Sequence, residues 1–246
     1  MPRAIVLCYH ALSADWEADL STTPELFERQ IELLLRRGYS GATFSEVVED
    51  GGRGRLLAVT FDDAYRSVLE LARPILDRLG VTATVFAPTD GVDAGGPLSW
   101  AGIDRWLDGP HEGELMPMSW AELRTLADAG WEIGSHTATH PHLTKIDDAT
   151  LQAELTRSKA ACERGLQRPC TSIAYPYGDV DARVVAATAA AGYRSAAALP
   201  SRLDMRGALE WPRIGVYHAD DDRRFRLKVS PSIRRLRTFR IWTIGR

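Results

Sequence analysis

The sequence predicts a parallel α/β domain on three observations. Short apolar or β-branched runs alternate with longer stretches of helical period. Several of those runs are apolar throughout, as strands buried on both faces require. Capping residues open the helical stretches and glycines close them, which gives the strand–helix alternation of βαβ units. The first strand is expected at residues 4–9. A helix follows from Thr23-Pro24, a cap with proline at the first helical position, with Phe27, Ile31 and Leu34 or Leu35 on one face and a stop at Gly38. A weaker strand lies near 39–43 and a strong one at 57–61. The next helix carries Val68, Ala72, Ile75 and Leu79 at spacings of four, three and four, with Pro74 as an expected kink and Gly80 as its end. A strand at 82–87 precedes the stretch 90–117, which is rich in Gly, Pro and Asp; a connection that long usually borders a binding site. Ser119 and Glu122 form a capping box for a third helix ending at Gly130. The remaining strands are expected at 131–135, 172–175 and 193–199, separated by helices bearing Leu151, Leu155, Cys162 and Leu166, and spanning 180–191. Periodicity alone leaves open whether the strands form an open doubly wound sheet or a closed barrel.

The chain has 246 residues, 45% hydrophobic and 26% charged, with formal net charge −3. That composition is globular, and no apolar run approaches the 18 residues of a membrane span. The charge is unevenly placed: residues 1–222 carry −12, and 223–246 carry +9. The N-terminal apolar run is about six residues, shorter than the core of a secretory signal, so a cytoplasmic location is expected. Cys8, Cys162 and Cys170 have no metal or disulfide spacing and are expected to be small buried residues. The first strand is not followed by a glycine-rich phosphate loop, which lowers a nucleotide-binding reading.

Three polar clusters sit at strand ends, where parallel α/β folds bind ligands. Thr60-Phe61-Asp62-Asp63 places two repelling carboxylates after an apolar strand, which need a cation, an arginine or solvent, or simply cap the next helix. His136 and His140 stand at i and i+4, a spacing that on a helical turn aims both at one divalent ion, with His142 close behind. With one carboxylate they make a two-His, one-Asp set with room for water and substrate. Tyr175-Pro176-Tyr177-Gly178 is a tight loop whose exposed backbone N–H suits a developing oxyanion, or an ordinary β–α turn.

Together these motifs resemble the polysaccharide deacetylases, the NodB-homology family of carbohydrate esterases, over residues 4–216. The resemblance implies a distorted (β/α)7 barrel at 1–222, with 223–246 a basic C-terminal tail. It implies a metal, most simply zinc, on Asp63, His136 and His140. Asp62 would be the general base taking a proton from the attacking water, and the backbone N–H of Tyr177 would hold the oxyanion. Ala174 stands where the family usually has an arginine that steadies the aspartate, and no Leu-x-His motif follows. Tyr9-His10 is similar to the motif of a subgroup of exopolysaccharide and biofilm deacetylases, which implies His10 as the general acid ahead of its rival His218. The late Trp211-Pro212-Arg213-Ile214 of that subgroup implies Arg213 as the replacement arginine and Trp211 as lining of the acetyl pocket, with Tyr175 and Pro176 also against substrate. The implied substrate is an N-acetylated carbohydrate: a polysaccharide, an oligosaccharide or a lipid-linked sugar. Competing readings are an amidase of the same fold acting on a small non-carbohydrate C–N bond, and a non-catalytic carbohydrate-binding relative.

The nine basic residues of 223–246 interleave with Phe225, Phe239 and Trp242. Such a segment suits peripheral contact with anionic membrane lipid, or is a solvated tail that neutralises the acidic body. A nucleic acid partner is not expected.

Overall fold

Every pairing between named strands is parallel, and the pairings run almost entirely around a ring. The structure is a computed structural model that describes residues 3–200, 203–204 and 207–238. Its strands are β1 (Ile5–Tyr9), β2 (Ala11–Leu12), β3 (Ser21–Thr22), β4 (Ser40–Ala42), β5 (Leu56–Phe61), β6 (Thr84–Ala87), β7 (Glu132–Ser135), β8 (Ser172–Ala174), β9 (Ser195–Ala198), β10 (Trp211–Pro212) and β11 (Ile214–Gly215). The α-helices are α1 (Pro24–Arg36), α2 (Phe44–Glu49), α3 (Arg73–Leu79), α4 (Trp120–Asp128), α5 (Asp148–Leu166), α6 (Ala182–Ala190), α7 (Asp222–Lys228) and α8 (Pro231–Leu236).

The ring runs β1, β5, β6, β7, β8, β9 and β10 in neighbour order. Closure comes from one short segment. β10 pairs with β9 through Trp211 and Pro212, and β11 pairs with β1 through Ile214 and Gly215, so residues 211–215 bridge the gap with Arg213 at the change of partner. The barrel expected from the family resemblance is therefore present, and the open sheet is excluded. The seven expected strand regions all hold strands, whereas 211–215 reads as irregular in the sequence because Pro212 interrupts it and each pairing is only two residues long.

Strand alternation sorts the core into two layers. Ile5, Leu7 and Tyr9 of β1, Leu57, Val59 and Phe61 of β5, and Ile173 of β8 face the helices and join the large core with Phe27, Ile31 and Leu34 of α1. The opposite faces supply Val6, Ala58, Phe86, Ala174, Ala197 and Trp211, a separate cluster that fills the barrel interior. Continuing the same inward faces two residues further leads to Cys8 and His10, Thr60 and Asp62, His136, and Arg213. The top inward positions of four staves are thus the polar ones.

Two local departures have clear causes. Residues 68–72 form a wide π-helical turn before α3, because Pro74 has no N–H to give the carbonyl four residues back and the ladder slips. The stretch 223–238, expected as part of a tail beyond the barrel, is folded onto it. α7 follows Asp221, whose side chain accepts from Arg224 N at 2.7 Å, and it buries Phe225, with Val229 buried just beyond. From α8, Arg234 reaches the carbonyl of Ala4 and the hydroxyl of Tyr39. The boundary at 222 therefore falls inside a packed unit, because the apolar residues at 225 and 229 anchor the basic run. Phe239 and Trp242, the other aromatics of that segment, lie outside the described residues.

Candidate active site and metal centre

A cavity of about 870 Å³ opens at the C-terminal ends of the strands. Its floor holds His10, Asp62, Asp63, His136, His140 and Arg213, so the structure brings together six of the residues singled out in the sequence, from four separate strand ends and one loop. Tyr177, 37% exposed, stands at the rim.

The carboxylate pair is split by its surroundings. Arg213, 1% exposed, donates from Nη1 to Asp62 Oδ1 at 2.6 Å and from Nη2 to Oδ2 at 2.8 Å, and Nη1 also reaches Thr60 Oγ1 at 3.0 Å. Burial alone would raise the Asp62 carboxyl, but the Arg213 charge and these hydrogen bonds outweigh it and hold the group well below the usual carboxylate range. The Cys8 thiol donates to Asp62 Oδ2 at 3.4 Å. Asp63 has no such clamp. Burial, then the charge of Asp62, push it well above its ordinary value, and its Oδ1 has no hydrogen-bond partner.

Two imidazoles face that unpartnered oxygen. His136 Nε2 and His140 Nε2 each lie 3.5 Å from Asp63 Oδ1. His136 Nδ1 lies 2.8 Å from the carbonyl of Ala174, which accepts only if Nδ1 carries the proton, so Nε2 presents a lone pair. Burial lowers both histidines below their ordinary value and keeps them neutral. A carboxylate oxygen and two imidazole nitrogens converging without a donor fit a divalent cation, which would replace the missing hydrogen bonds.

The histidine pair is not on a helical turn. Thr137 and His140 both have positive φ, 67° and 62°, so the chain loops back instead of coiling. Thr137 Oγ1 accepts from His140 N at 3.1 Å. Glu154, buried on α5, accepts from Ala138 N at 2.8 Å, Thr139 N at 2.9 Å and Thr139 Oγ1 at 2.8 Å. Sequence reasoning missed Glu154; it is the one carboxylate among the buried residues of α5, on a face that is apolar apart from it and Ser158, which was the available signal. Five of the eight described non-glycine residues with positive φ belong to this site: Asp63, Ala64, Thr137, His140 and Tyr177. Such backbone persists where surrounding contacts over-determine it.

His10 lines the cavity with Nδ1 buried and unpartnered, and one ring nitrogen lies within 4.8 Å of Asp62 and Cys8 ligand atoms. Burial lowers its pKa to about 4. His218 is exposed and does not line the cavity; its Nδ1 sits 3.4 Å from Ser21 Oγ.

Three expected substrate contacts fall elsewhere. Trp211 points inward but one layer below Arg213, packed among Val6, Phe86 and Ala197 in the barrel interior, because residues two apart on a strand share a face at different depths. The Tyr175 ring is buried in the outer core with its hydroxyl donated to the Leu209 carbonyl at 2.9 Å. Pro176 is buried in the turn that presents Tyr177. That turn is closed by Gly178 N and Asp179 N on the carbonyls of Tyr175 and Pro176, at 2.9 and 3.0 Å. Gly178, at φ 69°, also has no room for a side chain, since a Cβ would stand 2.8 Å from Leu199 Cβ.

Trp100 and Trp106, from the long connection before α4, line the other wall, as the composition of that stretch suggested without singling them out. Trp100 stacks on His140 at 4.1 Å and 21°. The wall opposite comes from Leu227, Lys228, Ile233 and Arg237 in and beside α7 and α8.

Comparison with known proteins places this arrangement. Residues 50–196 match the family described as polysaccharide deacetylase. YxkH of Bacillus subtilis is 24% identical over 194 residues, covering 77% of this chain and 62% of its own. The poly-beta-1,6-N-acetyl-D-glucosamine N-deacetylase of Staphylococcus aureus is 26% identical over 171 residues, covering 64% of this chain and 54% of its own. The chain thus spans less than two thirds of the length of these relatives. A crystal structure of a polysaccharide deacetylase from Bacillus cereus superposes with a TM-score of 0.73 at 26% identity, covering 92% of this chain and 69% of that one.

Proposed function

The chain belongs to the polysaccharide deacetylase family, and from that premise we propose that it is a metal-dependent hydrolase that removes N-acetyl groups from a carbohydrate. One observation carries the proposal: the unpartnered Asp63 oxygen faced by two neutral imidazoles, beside an Asp62 held ionised by Arg213, in one cavity. The donor set of two nitrogens and one carboxylate suits zinc, with cobalt as a working substitute. Bound on Asp63, His136 and His140, such an ion would polarise the acetamide carbonyl and acidify the attacking water.

The side chains supply the proton path. Asp62, ionised in the resting site, accepts the proton of the attacking water. It is a weak base, since Arg213 holds its carboxyl low, and it passes the proton on to His10, which has a ring nitrogen within 4.8 Å of its carboxylate. His10, neutral at the start because it is buried, then hands that proton to the departing amine and returns to neutrality. The backbone N–H of Tyr177 meets the oxyanion. The products are acetate and a free amino sugar.

The test is acetate release from a panel of N-acetylated oligosaccharides and lipid-linked sugars with zinc or cobalt added. Release that Asp62→Asn abolishes while metal remains bound supports the reading. No release from any member overturns it, and ring opening of a small cyclic amide assayed alongside, with no acetate from the panel, favours the amidase reading.

The surface of α7 and α8 supports a partner as well. Arg223, Arg224, Arg226 and Arg235 are exposed there beside Leu227 and Leu236, 57% and 43% exposed, and Leu227 also lines the cavity. We propose that this face rests on anionic lipid, at roughly 1 kcal/mol per basic residue near the surface. Binding to anionic but not neutral vesicles, lost in Leu227→Asp with Leu236→Asp, is the expected result; equal binding to both overturns it.

A further inference from the structure

The two histidines facing Asp63 are held in different ways. His136 is fixed by a hydrogen bond, its Nδ1 on the Ala174 carbonyl at 2.8 Å. His140 has none: its Nδ1 is buried and without a partner. A metal-binding imidazole ordinarily has its second nitrogen tied to a carbonyl or carboxylate, which sets the ring's plane. Without that tie, rotation about the soft ring torsion would swing Nε2 away from Asp63.

Aromatic rings hold His140 instead. Trp100 stacks on its face at 4.1 Å and 21°, and Tyr177 meets it edge-on at 4.7 Å and 64°. The Tyr177 ring is itself backed by His142, stacked at 4.0 Å and 15°, whose Nδ1 lies 3.2 Å from Asp179 Oδ2. Trp100 comes from the long connection between β6 and α4, and that connection is anchored near it. Leu98 N donates to the Leu115 carbonyl at 2.9 Å, and Leu98, Ile103 and Leu115 are buried with Trp16 and Tyr65. The indole also lines the cavity.

We propose that Trp100 is a positioning residue for His140, doing by stacking what the Ala174 carbonyl does for His136. This rests on the reading of Asp63, His136 and His140 as metal ligands. Its consequence is that the wall against which a glycan would lie also sets the geometry of a ligand, so the substrate loop and the metal affinity are linked.

The experiment titrates zinc into the metal-stripped full chain by calorimetry and records the visible absorption of the cobalt form. Trp100→Ala is expected to weaken zinc binding about 10-fold or more, the scale of lost outer-sphere support, and to shift the cobalt bands. Trp100→Phe, which keeps a stacking ring, is expected to bind as wild type. Trp106→Ala, on the same loop and cavity wall but with no ring contact to His140, is expected to leave affinity unchanged. Wild-type affinity in Trp100→Ala overturns the positioning role alone, and equal weakening in Trp106→Ala overturns it by assigning the effect to the loop. If wild type takes up no zinc, or His136→Ala takes it up unchanged, the metal reading fails and the positioning role with it.

Discussion

Removing Arg213 tests how the barrel tolerates a charge at its top. Arg213→Met keeps the length of the side chain and deletes the guanidinium, so Asp62 loses donors at 2.6 and 2.8 Å in a site where both partners are almost wholly buried. Breaking a buried pair by removing one partner costs about 3–5 kcal/mol, because the remaining charge is left desolvated. For a chain of this size that is roughly 6–20 °C in melting temperature. The pH dependence gives the sharper signature. In wild type the folded Asp62 carboxyl lies below its unfolded value of about 3.9, so its stabilisation is present at neutral pH and lost as pH falls below that value. Without Arg213 the burial effect prevails and raises the folded carboxyl above the unfolded value, so the variant loses stability as pH rises through the acid range. The gap between the two proteins must therefore narrow on going from pH 7 to pH 4. Denaturant unfolding of the metal-stripped proteins at both pH values measures it. A gap at pH 7 below about 1 kcal/mol, the value of an exposed pair, or a gap independent of pH, would refute the reasoning.

Other outcomes follow from particular contacts. Glu154→Leu leaves Ala138 N and Thr139 N without an acceptor and should cost roughly 2–6 kcal/mol on unfolding, with zinc affinity lowered, while Glu154→Gln keeps one acceptor oxygen and should lose far less. Trp211→Ala should cost about 3–5 kcal/mol as a core truncation, yet leave kcat and KM of the folded enzyme unchanged; a raised KM would return Trp211 to the substrate pocket. His10→Ala should lower acetamide turnover by about 10²–10⁴ and spare an aryl acetate, whose leaving group needs no proton; equal loss on both substrates would remove His10 as the acid.

The sequence carried the strands and the ligand types well, because buried parallel strands are apolar throughout and polar residues directly after them are conspicuous. Asp62, Asp63 and His136 were readable for that reason, whereas Arg213 was reached only through the family resemblance. Closure of the ring was less readable. Residues 211–215 pair through only two residues on each side, too short for any period to show. Depth along a strand was invisible too, which is why Trp211 was expected at the acetyl pocket although it packs one layer below Arg213. Tyr175 and Pro176 were misplaced because a motif names neighbours in sequence, while the turn exposes only Tyr177. The helical reading of His136 and His140 failed on backbone: spacing of four suits a helix, but here positive φ at Thr137 and a carboxylate 14 residues beyond His140 shape a loop that aims the same two nitrogens. Basic character hid the two helices at 222–236, since six cations surround the few apolar residues that anchor them.

The central claim is that Asp63, His136 and His140 hold a metal that this cavity uses to release acetate. It is tested most directly by adding zinc stepwise to the metal-stripped chain while following acetate release from an N-acetylglucosamine oligomer. Activity should rise to a plateau at one ion per chain and be absent in Asp63→Ala at every zinc concentration. Turnover that persists through chelation, or an Asp63→Ala variant that works as well as wild type, would contradict it.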